Sequence, residues 1–245
     1  LSSVKPLLVY WRPKDIQPVL DGIKELPCDK LFLNYMPYPY NYEITTAFFK
    51  SNPEYTHLIC LPNDLVPTKK IYDKLVKHIE AKDYAVISGV CNWDTEKYQD
   101  YLNITADLPA LKYSERTYHK ISKNRYPNTL LKVPWAGFPF MFIRRDIVLK
   151  VPFPPHCVKD TNERPVWETK GGFGGDLCWA HNLDYYKIDQ YADTSCNMKH
   201  LRFYGKMLVG VKPPSIEFFK YNGKNLEHGE QNSPKSKIQK SSESL

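Results

Sequence analysis

Three stretches of this chain place chemically able side chains where a regular element begins or ends. In LICLPNDLVP an apolar run stops at Asn63 and Asp64, and a Pro-Thr turn then opens a Lys-rich helical pattern. In GGFGGDLCWAHNL four glycines precede Asp176, and Leu177, Trp179 and Ala180 mark an apolar helix face behind it. In SCNMKHL, His200 follows the strand-like YYKIDQYA. Asp64 admits two roles. It can cap the amides of the turn that opens the Lys69 helix, or offer a hard oxygen to Mg²⁺ or Mn²⁺, with phosphate oxygens and water filling the other positions. Asp176 suits the positive end of a helix as a plain first-turn carboxylate, while the glycines let a ligand approach the backbone or let the loop move. His200 is one of seven histidines; as a lone imidazole it serves equally as a surface or core residue.

These residues must be carried by elements, and the apolar periodicity supplies them. KPLLVYW is a first strand. Ile16, Val19, Leu20 and Ile23 follow at helical spacing, with Asp15 as cap and Pro18 in the first turn. DKLFLNYM is a second strand; Ile44, Ala47 and Phe48 mark a helix that Asn52-Pro53 stops. THLICL is a third strand, Ile71, Leu75 and Ile79 lie on a third helix, and DYAVISGVC is a fourth strand. Near-continuous apolar strands alternating with amphipathic helices predict an α/β fold, a Rossmann-like α/β/α sandwich with a mostly parallel central sheet. Ligands of such sheets gather at the carboxyl ends of the strands, where Arg12, Asn34, Asn63, Asp64 and Asn92 fall.

Beyond residue 93 the rhythm changes. The stretch to about residue 130 is aromatic and charged, and is expected to form loops and short elements around a rim. FPFMFI restores a strand, followed by a short helix or turn. PFPPHCVKDTNERPVWETKGGFGGD is a long Pro- and Gly-rich loop, of the kind that often carries function. DLCWAHNL is helical and YYKIDQYA a strand. Residues 1–223 are expected to be one domain, with 1–93 its nucleotide-binding half and 94–223 its acceptor half; the polar, aromatic-free 224–245 are expected to be a mobile tail.

The 42% apolar and 25% charged fractions are those of a globular domain. No run reaches the roughly 18 to 20 apolar residues of a membrane span, so none is expected. The net charge of +7 suits an anionic partner, but the lysines are scattered rather than clustered, which fits a basic soluble protein better than a nucleic-acid binder; nucleotide phosphates would also be served by this balance. The first residue is not Met and no signal-peptide h-region opens the chain, so it reads as a trimmed piece of something longer. Six cysteines without CxxC or zinc-knuckle spacing predict free thiols and a reducing, cytoplasmic setting. The single sequon, Asn103-Ile104-Thr105, does not outweigh that.

LICLPNDLVP resembles the strand-to-loop junction of GT-A glycosyltransferases, in which an apolar strand runs into an Asp-x-Asp motif and a Val-Pro or similar turn. The resemblance extends through SGV, VPWAGFPFMFIRRDIV, GGFGGDLCWAHNL and His200, roughly residues 5 to 205 as an order of elements. It implies a transferase moving a sugar from a nucleoside-diphosphate sugar to a hydroxyl of a glycan or other acceptor, in glycan biosynthesis, with Mn²⁺ or Mg²⁺ as cofactor. Pro62 stands where the first motif Asp is expected, leaving Asp64 as the motif carboxylate. In this resemblance Asp64 and His200 hold the metal, imidazole favouring Mn²⁺ over Mg²⁺, and Asn63 joins Asp64 at the donor. Asp176 matches the acidic motif whose Asp is general base in inverting members, with Gly175 in place of the usual Glu. Such a base takes the acceptor's proton as its oxygen attacks the anomeric carbon, while the metal or basic side chains stabilise the departing diphosphate. Tyr10, Trp11, Arg12 and Asn34 fall where the nucleobase and ribose are held: Asn34 to read a base edge, Arg12 to pair with phosphate. Ala136 and Gly137 would leave room for the sugar, and Trp135 would face its C–H surface or be a buried Trp beside a turn.

Two other classes remain. A nucleotidyltransferase on sugar phosphates would prefer a glycine-rich basic loop after strand one, and WRPKDIQP contains no glycine. A non-catalytic carbohydrate- or nucleic-acid-binding module would use the 18 tyrosines as stacking surfaces; it would tolerate Asp176→Asn, whereas a transferase would not.

Overall fold

The computed structural model describes residues 4–12, 15–35, 40–92, 100–110, 117–152, 175–201 and 213–229. The first half follows the predicted alternation: β1 (Pro6–Arg12), α1 (Gln17–Lys24), β2 (Asp29–Asn34), α2 (Tyr40–Ser51), β3 (His57–Leu61), the two-residue β4 (Leu65–Val66), α3 (Lys69–Ala81) and β5 (Val86–Cys91). The second half contains β6 (Tyr101–Thr105), β7 (Lys120–Ser122), β8 (Leu130–Val133), β9 (Trp135–Ala136), β10 (Met141–Arg144), α4 (Arg145–Lys150), α5 (Gly175–Tyr185), β11 (Gln190–His200), β12 (Ser215–Tyr221) and β13 (Leu226–His228).

Alternate residues of the central strands enter two separate cores. Leu7, Val9, Leu58 and Cys60 lie on one face with Phe49, Ile147 and Trp179 from α2, α4 and α5. Leu8, Tyr10, Ile59 and Leu61 lie on the other with Val19, Ile23, Ile71 and Leu75 from α1 and α3. Burial of both faces is why the strands read as continuous apolar runs. Pro18 occupies the first turn of α1, where a missing N–H costs nothing. The capping residue there is Ile16, without a side-chain bond, and the Asp15 carboxylate accepts a hydrogen bond from the Tyr35 hydroxyl (3.3 Å). Asp15 is thus not the predicted cap.

The sheet is mixed rather than mostly parallel. Its ten strands run β13-β12-β2-β1-β3-β10-β5-β11-β4, with β8 also on β11. Three pairings are parallel (β1 with β2 and β3, and β11 with β5). Six are antiparallel, because β10 inserts between β3 and β5 and because β4, β8, β12 and β13 all enter against their neighbours. Parallel neighbours need a long crossover, which the first half supplies as helices; antiparallel ones do not.

The expected rim contains a second sheet, β7-β6-β9. The predicted strand YYKIDQYA begins only at Gln190 and runs on to His200, because Tyr185 still belongs to α5. Part of the expected tail is structured: Leu226–His228 form β13 against β12. The long loop expected before Asp176 lies almost wholly outside the described residues, as does the stretch from 230 onward. Cys28, Cys60, Cys91 and Cys196 are buried free thiols, but Cys178 is disulfide-bonded. That bond departs from the all-thiol expectation and is of the kind oxidising compartments retain. Among the described residues, no helix is long and apolar enough to cross a membrane.

Candidate functional site

The turn after β3 delivers Asp64 to the carboxyl end of the parallel core, and β11 ends beside it. Lys199 and His200 of β11 pair with Val66 and Leu65 of β4, and the Leu201 N–H donates to the Asp64 carbonyl (2.7 Å). This short antiparallel ladder brings together two side chains 136 residues apart: His200 Nε2 lies 3.2 Å from Asp64 Oδ2. His200 Nδ1 is 2.9 Å from the Asn92 carbonyl, just past the end of β5. Both ring nitrogens therefore face acceptors and both donate, as in an imidazolium. The Asp64 carboxylate, then Cys91 beside it, holds the His200 pKa well above the ordinary imidazole range. Asp64 does not cap α3; Thr68 does, its hydroxyl accepting from the Ile71 N–H. Of the two roles open to Asp64 in the sequence, the cap is taken by another residue.

A carboxylate oxygen and an imidazole nitrogen at this separation suit adjacent corners of an octahedral cation site, where bonds of about 2.1 Å put neighbouring ligands about 3 Å apart. The Asn92 carbonyl would fix the ring with Nε2 inward, as partners behind metal-bound histidines do. A cation entering here takes the place of the Nε2 proton. Among the described residues no third His, Cys, Asp or Glu completes a metal-holding group with this pair. Asn63, half-buried, has its Nδ2 enclosed without a hydrogen-bond partner.

A second group adjoins the first through Asn103 of β6, a residue the sequence reading passed over as part of a sequon. Asn103 Oδ1 accepts from the Cys91 N–H (2.9 Å), next to Asn92. Its Nδ2 points to Gly137, 3.0 Å from where a Cβ on that glycine would lie; Asp176 Oδ2 lies 3.3 Å and Trp135 Cζ2 3.7 Å from the same point. The predicted Trp135, Gly137 and Asp176 are thus brought together, and Gly175 opens α5 beside them. Around Gly137 the backbone is unusual, since Phe138 and Phe140 both adopt the left-handed region (φ 51° and 55°). Bulky residues seldom hold that conformation unless packing enforces it; here Phe138 packs edge-on to Trp11 and Phe140 to Phe142. Asn103 gives no signal in the sequence, because in YLNIT it alternates with Tyr101 and Thr105 and so reads as a surface position.

Several expected contacts look different in the fold. Trp135 is buried against Tyr118, with Leu177 and Ala180 beside it, so its face is not offered to a sugar. Ala136 lies in the core paired with Ile104, so the room is at Gly137 alone. Tyr10 is wholly buried, edge-on to Phe32, a core residue and not a platform for a base. Trp11 packs on Tyr42 and donates from Nε1 to Thr45 (3.4 Å). Asn34 is buried with its Nδ2 given to Ser215 (3.1 Å) and Glu217 (2.6 Å) of β12, which pairs with β2 and claims the amide expected to read a base. The Arg12 side chain lies outside the described residues.

No family model matches the chain, and no curated protein matches it. Among solved structures, A197 from STIV is similar with a TM-score of 0.54 and 15% sequence identity, over 93% of this chain and 95% of that one. At that identity the likeness is one of fold.

Proposed function

We propose that this mixed α/β chain is a GT-A-like glycosyltransferase that moves a sugar from a nucleoside-diphosphate sugar to a hydroxyl acceptor, with inversion. The observation that carries the reading is the meeting of Asp64 and His200 at 3.2 Å at the carboxyl end of the parallel core, joined through Cys91 and Asn103 to the Gly137–Asp176 group. Asp64 and His200 would hold Mn²⁺ or Mg²⁺, with Asn63 beside them. Such a cation, when bound, supplies positive charge to the leaving diphosphate. Asp176, in the first turn of α5, accepts the acceptor hydroxyl's proton as its oxygen attacks the anomeric carbon.

The test is thermal unfolding with UDP, GDP, CDP and dTDP, each with and without Mn²⁺. A diphosphate at about a hundred times its Kd should stabilise the fold by about 2.7 kcal/mol, raising Tm by roughly 5–10 °C for a chain of this size. Asp64→Ala should abolish the metal-dependent part. Asp176→Asn should keep diphosphate binding and lower transfer by roughly 10²–10⁴-fold. Absence of any response to all four nucleotides would remove the transferase reading.

A further inference from the structure

Strand β11 runs for 11 residues, but not in a single register. Its pairing with β5 begins as Gln190↔Val86, Tyr191↔Ile87 and Ala192↔Ser88, and resumes as Asn197↔Val90 and Met198↔Cys91. From Ala192 to Asn197 β11 advances five residues while β5 advances two, so three residues stand outside this ladder as a large bulge. The bulge lies over Gly89 of β5, where a Cβ would fall 2.6 Å from the Cys196 carbonyl oxygen; glycine is what lets the two backbones come so close. It is tied down on both flanks. Asp193 is 2% exposed, and its Oδ1 accepts from the Ser195 N–H (2.8 Å) and hydroxyl. Its Oδ2 meets His78 Nε2 (2.8 Å) and Lys74 Nζ (3.4 Å), one turn apart on α3, and the Lys74 ammonium also donates to the Ser195 hydroxyl. On the other flank the Thr194 N–H donates to the Thr129 carbonyl (3.0 Å). The Thr194 hydroxyl accepts from the Thr129 N–H (2.8 Å) and donates to the Tyr126 carbonyl (2.6 Å). Sliding β11 to another register would pull Asp193 off its partners and leave a buried carboxylate unpaired, which disfavours the slide.

We infer that Asp193, held by His78 and Lys74 of α3, is a positioning residue for the Asp64–His200 pair, setting the register in which β11 reaches β4. The inference rests on the transferase reading only for the use of that pair as a cation site. Had β11 continued in its first register, Cys91 would face Ser195 instead of Met198. His200 would then lie three residues, about 10 Å, further along the sheet. Three is odd, so its side chain would also turn to the opposite face. Either change takes the ring away from Asp64. By absorbing three residues the bulge brings His200 level with Leu65, beside the Asp64 turn.

The Leu201 N–H, which donates to the Asp64 carbonyl, reports closure of the β11–β4 ladder, and its hydrogen exchange is read by NMR. Asp193→Asn sets an amide N–H against His78 and Lys74, and Gly89→Ala presses on the bulge from β5. His78→Leu removes one tie to α3, and His78→Gln keeps a donor there. In the first two variants, shown to be folded by circular dichroism, Leu201 exchange is expected to rise about tenfold or more, the scale of a lost bond to a charged group. The rise should exceed that of the buried Val9 amide of β1, which overall unfolding alone exposes. Mn²⁺ affinity, titrated by electron paramagnetic resonance, should fall by a similar factor. His78→Leu, at a partly exposed position, should raise Leu201 exchange about threefold, and His78→Gln should restore the wild-type rate. A Leu201 amide that exchanges freely in the wild type, or keeps its protection in folded Asp193→Asn and Gly89→Ala, overturns the inference. If neither of those variants folds, His78→Leu decides, and an unchanged Leu201 rate there overturns it. Mn²⁺ is scored separately. Protection lost in the variants with no Mn²⁺ bound by the wild type would keep the positioning role and remove the cation site; Mn²⁺ bound by variants whose protection is intact would do the reverse.

Discussion

The Asp64–His200 pair can be weighed by a double-mutant cycle with Asp64→Ala, His200→Ala and the double variant, in EDTA so that no cation contributes. Both nitrogens of His200 are committed to acceptors, so the ring is charged and its bond to Asp64 is an ion-paired one. A hydrogen bond involving charged groups contributes about 1.5–3 kcal/mol. The side chains are 19% and 32% exposed, and water screens part of that attraction. A coupling of about 1–2 kcal/mol is expected from urea unfolding, isolated from the cavity each alanine leaves. The pH dependence has a definite sign. Because the folded-state pKa of His200 is raised, its contribution is fully present below the unfolded value near 6.5 and is lost as pH climbs toward the folded value. The coupling should therefore be largest at pH 6 and smaller at pH 9.5. A coupling below about 0.3 kcal/mol at pH 6, within ordinary additivity, or one independent of pH would refute the charged-pair argument.

His57 gives the opposite pH signature. It is buried in β3 with Nε2 enclosed and unpartnered, and burial pushes its pKa down to about 4. Stability from the neutral ring is complete above about 6.5 and is lost as pH falls through about 4, a loss of at most about 3 kcal/mol. Urea unfolding between pH 7 and 4 should show this slope, and His57→Leu should flatten it; an unchanged slope would assign the acid sensitivity elsewhere. Gly22→Ala tests the packing beneath the Asp64 turn. Alanine favours a helix by about 1 kcal/mol over glycine, but a Cβ here would lie 2.4 Å from the Pro67 carbonyl oxygen. Overpacking of that kind costs about 1–3 kcal/mol, so Tm should fall despite the better helix former; a raised Tm would mean that α1 and the Pro67 turn separate easily.

The local elements of the first half were legible because each is driven by its own residues. The apolar alternations that place β1, β2, β3 and β5, the stripe of Ile71, Leu75 and Ile79, and Pro53 beyond α2 are properties of short windows, and the structure follows them. Strand pairing was not legible. FPFMFI announces a strand yet carries nothing that says it will lie antiparallel between β3 and β5. The same gap misplaced Asn34 and Tyr10. Their types suited a ligand, but β12 took the amide of one and a two-sided core took the ring of the other. Asn103 was hidden because one asparagine in a five-residue strand is indistinguishable from a surface position until the partner strand is known.

What the sequence determined by itself is the set of candidate groups and the elements that carry them: Asp64 behind a strand, Asp176 ahead of a helix, His200 late in the chain. What the tertiary structure decided is which of them meet. Asp64 and His200 become partners only through the β11–β4 ladder, and Asn103 faces Asp176 only because β6 pairs with β9 across Gly137. The physical reason is range. Periodicity and capping act over a few residues, whereas a hydrogen bond between residues 136 positions apart depends on how the sheet orders its strands.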